Sequence, residues 1–130
     1  MTEDELIERF EQGSLPAQGF HHVDHVRVAF IYLCRCPVLE ALRKFSTALK
    51  RFAAAQGKEQ LYHETITWAY IFLIRERMAR NGNSQNWEEF ALKNPDLLAW
   101  KDGVLKRYYR EDTLTSEIAK CTFVLPDRCS

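Results

Sequence analysis

Apolar positions recur along this chain at intervals of three and four, the spacing that lines one face of an α-helix. Leu6, Ile7 and Phe10 follow Thr2-Glu3-Asp4-Glu5, which reads as a capping box with Thr2 as N-cap and Glu5 three residues on. Gly13-Ser14-Leu15-Pro16 ends this short amphipathic helix, and Gly19 loosens the connection. A second helix starts near His21 or His22. Val23, Val26, Ala29, Phe30 and Leu33 take one side, and Val28, Ile31 and Tyr32 cover much of the rest. A helix apolar nearly all round is predicted to be central. Pro37 closes it, because the residue before a proline resists the helical region.

Val38 to Ala55 is predicted as a third helix, with Leu42, Phe45, Leu49 and Phe52 inward and Arg43, Lys44, Lys50 and Arg51 outward. Gly57 supplies its stop. A fourth runs from about Leu61 to Ala79. His63, Ile66, Thr67, Tyr70, Ile71, Ile74 and Met78 follow helical spacing, which places His63 on the core stripe. Arg75, Arg77 and Arg80 suit its C-terminal end. Asn81-Gly82-Asn83-Ser84 reads as a loop and Trp87 to Leu92 as a short helix. Asn94 is predicted to cap a further helix, with Pro95 at its first position, running through Leu97, Leu98 and Trp100, weakened at Gly103 and ending near Tyr108-Tyr109. Thr115-Ser116-Glu117 suits a last turn, and Phe123 to Asp127 forms a tail with enough apolar weight to dock. No stretch alternates as a strand does. The expected fold is all-α: one domain over residues 1–130, an irregular bundle of five or six helices with the second and fourth at its centre.

Composition agrees with that picture. Apolar residues make up 46% and charged residues 28% of 130 positions, which fits a folded soluble domain and argues against disorder. The formal net charge is zero, and the basic clusters Arg43-Lys44, Lys50-Arg51 and Lys106-Arg107 read as solvated helix faces. Nucleic acid is therefore not an expected partner. The acidic start does not read as a signal peptide, and the apolar runs are too short for a membrane span. Cys34, Cys36, Cys121 and Cys129 lack paired knuckle spacing, so reduced thiols in a cytoplasmic protein are the simplest reading. The sequence is compatible with a homo-oligomer.

Three of the four histidines, His21, His22 and His25, lie at the start of the second helix, and His63 opens the fourth. His22 and His25 are neighbours on a helix surface. If the two helices meet near their starts, His22, His25 and His63 converge with Asp24 or Glu64. Such a shell suits one divalent metal: Zn, Mn, Fe or Ni. Arg27, Thr67 and Tyr32 would line a ligand pocket beside it. The same residues support a second reading without metal. Asp24, His25, Arg27, His63, Thr65 and Thr67 are many polar groups for two apolar helices, and buried polar groups must be paired. They would then form a hydrogen-bond network joining the helices, or a pocket for a small polar molecule with the histidines free for acid–base work. There is no H-E-x-x-H, no paired Glu-x-x-His of the di-iron bundles, no G-x-S-x-G and no glycine-rich phosphate loop. Whether the chain is an enzyme stays open.

The run His22-Val23-Asp24-His25-Val26-Arg27, then Tyr62-His63-Glu64-Thr65, Asn94-Pro95-Asp96-Leu97-Leu98, Tyr108-Tyr109 and Pro126-Asp127 resembles a group of small all-helical bacterial proteins with no assigned activity. The resemblance spans Phe20 to Asp127. It implies that the histidine stretch, the Tyr-His-Glu-Thr stretch and the tail belong to one design, and it carries no catalytic role to any position. The functional expectation is a small protein with a histidine-rich polar site binding a metal or a small polar ligand. The alternative is a non-catalytic structural or interaction protein whose histidines form a buried network.

Overall fold

A computed structural model describes residues 2–15, 20–82, 86–101 and 103–128. Pro16, Gly19, Asn83, Ser84 and Cys129, named above, lie outside the described residues. Among the described residues the architecture is all-α, with eight α-helices, two short 3-10 turns and no strand. None of these helices is long and apolar enough to cross a membrane. The chain divides into two compact units, Met1–Tyr62 and His63–Ser130.

The first unit holds α1 (Glu3–Gln12), α2 (His22–Arg35) and α3 (Val38–Ala55). The Thr2 hydroxyl accepts the Glu5 N–H at 3.1 Å, as the capping-box spacing predicts. Gly13 ends α1 in the left-handed region at φ 69°, where other residues are strained. Phe10, wholly buried, is the centre of an aromatic core. Its ring lies 5.4 Å from Phe20, 5.6 Å from Phe45 and 6.2 Å from Phe52. Helix α2 is buried from Val28 through Leu33 without interruption, as its all-round apolar pattern requires. It stops at Cys36, before Pro37, and α3 begins directly afterwards. Leu42, Phe45 and Phe52 face inward as expected, joined by Ala41, Ser46 and Ala48.

The second unit is built on α4 (Glu64–Arg80), whose Thr65, Thr67, Tyr70, Ile71, Ile74 and Met78 are buried. Then come α5 (Trp87–Lys93), α6 (Pro95–Leu98), a 3-10 turn over Val104–Arg107, α7 (Glu111–Leu114) and α8 (Glu117–Cys121). The helix expected from Asn94 to near Tyr109, weakened at Gly103, ends already at Leu98. A Cβ at Gly103 would stand 3.1 Å from the Trp100 carbonyl oxygen and 3.3 Å from that of Ala99, a tight approach that favours glycine there. Ser116 caps α8, the last turn expected at Thr115-Ser116-Glu117, and accepts the Ala119 N–H at 3.2 Å. The tail docks: Phe123 stacks on Trp68 with ring centroids 5.3 Å apart.

Candidate functional site

The residues expected to form a site draw on both units. His22, Asp24, His25, Arg27 and Tyr32 are on α2, while His63, Glu64 and Thr67 are at the start of α4.

In the first unit, Asp24 occupies the third helical position of α2 and accepts the His21 N–H at 2.9 Å. This is the returning half of a capping box, so the carboxylate is engaged in starting the helix. His22, at the first helical position, is half-buried. His25 points into the aromatic core, its ring 4.5 Å from Phe20 and 6.3 Å from Phe52, edge-on to the latter. Its pKa is pushed down from 6.5 to about 4, chiefly by burial and in part by the His22 charge, with Asp24 opposing the shift. A neutral imidazole is the form this environment accepts. Tyr32 is buried, and its hydroxyl donates to the Glu11 carboxylate at 2.6 Å. Burial, then that hydrogen bond, raises its pKa far above the usual phenol value. Its hydroxyl is thus committed to α1. Arg27 differs from these: its Nε is buried and has no hydrogen-bond partner among the described residues, nor has the Ser46 hydroxyl on α3.

In the second unit, His63 is not on the helical stripe as periodicity predicted. It is the N-cap of α4, with extended backbone. Its Nδ1 accepts the Ile66 N–H at 3.1 Å, and its Nε2 lies 2.7 Å from the Leu114 carbonyl oxygen. An amide N–H only donates and a carbonyl only accepts, so the ring is neutral with its proton on Nε2. Both nitrogens are used. The spacing of the apolar positions carries on through the cap, so the pattern starts α4 near Leu61, three residues before its first helical residue, Glu64. Thr67 donates its hydroxyl back to the His63 carbonyl at 2.8 Å. Glu64, first in α4, puts a carboxylate at the positive end of the helix dipole.

Sequence reasoning missed a polar cluster farther along this unit. Arg77 on α4 donates to both Asp96 carboxylate oxygens, at 3.0 and 2.8 Å, and to Asn94 Oδ1 at 2.9 Å. Arg107 adds a bond to Asp96 at 3.3 Å. The Arg77 hydrogen bond, against the cost of desolvation, holds the Asp96 carboxyl below its usual range. Asn94, expected as a helix cap, makes no capping bond. Its amide donates to the Phe90 carbonyl at 2.9 Å instead. The Asn-Pro-Asp triplet was the available signal, and only the distance along the chain hid Arg77 as its partner. An open groove of about 560 Å³ on the same unit is lined by Arg110, Glu111, Asp112, Thr115 and Arg128, none of them singled out beforehand.

Among the described residues no three His, Cys, Asp or Glu side chains are grouped to hold a metal ion. Comparison with protein-family models, with curated proteins and with solved structures finds no match.

Proposed function

We propose that this chain is a non-catalytic structural or interaction protein whose histidines tie backbone segments together. The observation that carries this reading is the bonding of His63, with one nitrogen on the Ile66 amide and the other on the Leu114 carbonyl. A metal at His63 would have to displace one of those bonds. The engagement of Asp24, Tyr32 and Thr67 in helix starts and interhelical bonds supports the same reading. The test is the melting curve of metal-free protein with Zn, Mn, Ni, Fe or a chelator. The curve should not move, and His63→Ala should melt lower under every condition alike. A metal at a hundred times its dissociation constant would add about 2.7 kcal/mol. A metal-dependent rise lost in both His25→Ala and His63→Ala would restore the divalent-metal site.

Arg27 favours a second reading for the first unit. A buried guanidinium N–H without a partner is costly, and the acceptor oxygen of a small polar ligand would supply what it lacks. Thermal stabilisation by acetate or phosphate at constant ionic strength, lost in Arg27→Met, would support it. Identical curves for the two proteins would remove it.

A further inference from the structure

Residues 122–128 form a strap across the second unit, held chiefly by its backbone. The Thr65 hydroxyl, 0% exposed on α4, donates to the Thr122 carbonyl at 2.8 Å and accepts the Val124 N–H at 3.0 Å. The buried Tyr109 donates to the Val124 carbonyl at 2.7 Å. The Tyr108 carbonyl accepts the N–H groups of Asp127 and Arg128 at 3.0 and 2.9 Å. Phe123 anchors the run among rings, 5.3 Å from Trp68 and 6.3 Å from Phe72. At its end Asp127 accepts the Arg110 N–H at 2.9 Å and the Thr113 hydroxyl, and the Arg128 guanidinium donates to the Lys106 carbonyl at 2.7 Å. Leu125 between them is 72% exposed.

In extended-peptide recognition, main-chain hydrogen bonds supply affinity and seated side chains supply specificity, and the strap makes both kinds of contact. The Thr65 and Tyr109 bonds do not depend on what the strap's side chains are, and the strap makes them outside any helix or sheet. We propose that this face is a binding site for an extended peptide carrying an aromatic residue and, four positions later, an aspartate. Here it is filled by the chain's own strap, and the strap of a second copy can take that place. The second copy is the occupant because its residues 122–128 carry the whole pattern. The strap also leaves α8 through one extended residue, Thr122 (φ −141°, ψ 146°), so turning that residue redirects it without unwinding a helix. The inference rests on reading the chain as an interaction protein.

The probe is a fluorescent synthetic peptide, Thr122 to Arg128, titrated into the full chain by anisotropy. The Phe123→Ala chain, whose own strap competes less, should bind it at least tenfold more tightly than wild type. A peptide with alanine at the anchor should bind that chain at least tenfold more weakly. If folded Phe123→Ala binds neither peptide, or both equally, the proposal fails. Should that variant not fold, Asp127→Asn loosens the exposed end of the strap and is read in the same way. Light scattering of the wild type should show dimers growing with concentration and returning to monomers with excess peptide. A chain monomeric at every concentration overturns the exchange between copies. A metal-dependent melting rise would defeat the proposed function yet leave these binding results unchanged, so the two failures are distinct.

Discussion

The His63 imidazole donates to the Leu114 carbonyl at 2.7 Å while accepting the Ile66 amide, so a single ring starts α4 and holds a segment 51 residues farther on. His63→Ala removes a cap and leaves a half-buried carbonyl without its partner. The expected loss is about 2–3 kcal/mol in urea unfolding. His63→Asn should recover the cap share alone, since asparagine is a strong N-cap residue. Long-range proton–nitrogen spectra should show the Nε2-protonated tautomer. Finding the proton on Nδ1 would contradict the bonding described.

His25 makes stability depend on pH. Its folded value, about 4, lies below the 6.5 of a free histidine, so as pH falls the unfolded chain takes up the proton first. The stability that its neutral form contributes is complete above pH 6.5, declines between 6.5 and about 4, and falls no further below that. The whole decline amounts to about 3 kcal/mol. Urea midpoints across that range should fall for wild type and stay flatter for His25→Leu. Equal slopes in the two proteins would assign the decline to other groups.

Thr65→Val keeps the shape of a fully buried side chain and deletes both of its bonds to the strap. The Val124 amide and the Thr122 carbonyl lose their protein partner, at a cost of about 1–3 kcal/mol. Hydrogen exchange should quicken at Val124 and leave the middle of α4 protected. An unchanged Val124 rate would mean that the strap is held elsewhere.

Ile74, fully buried on α4, is a plain packing residue. Ile74→Ala should cost about 2–5 kcal/mol in chemical denaturation. A change under half a kilocalorie, roughly the size of a surface substitution, would place this face of α4 in water.

Periodicity recovered what periodicity governs. The limits of α2 and α3, the inward Leu42, Phe45 and Phe52, and the buried stripe from Tyr70 to Met78 were all legible, because apolar burial at helical spacing fixes them. After Leu98 the signal weakens. Helices of four or five residues leave too few turns for a period to show, and the break after Leu98 is marked by no spacing. At the candidate residues, the sequence marked polar groups on α2 and at the start of α4 but not what they bond to. Asp24, His63 and Thr67 are indeed polar groups that need partners. Those partners are backbone amides and carbonyls, which every residue carries and no residue letter marks. Arg77 and Asp96 were hidden for a different reason, since pairing across 19 residues depends on how the helices fold back.

Helix α1 is fastened unequally at its two ends. Near its start, Arg35 reaches Asp4 at 2.9 Å and Glu3 at 3.8 Å between exposed side chains. Near its finish, Tyr32 grips the Glu11 carboxylate from a buried position, and Arg51 donates to the Glu11 carbonyl at 2.6 Å. Salt screens exposed ion pairs and leaves a partly buried hydrogen bond largely intact. Rising ionic strength therefore weakens only the outer fastening at Asp4 and Glu3, while buried Leu6, Ile7 and Phe10 keep the N-terminal helix packed and the Glu11 bonds hold its trailing end.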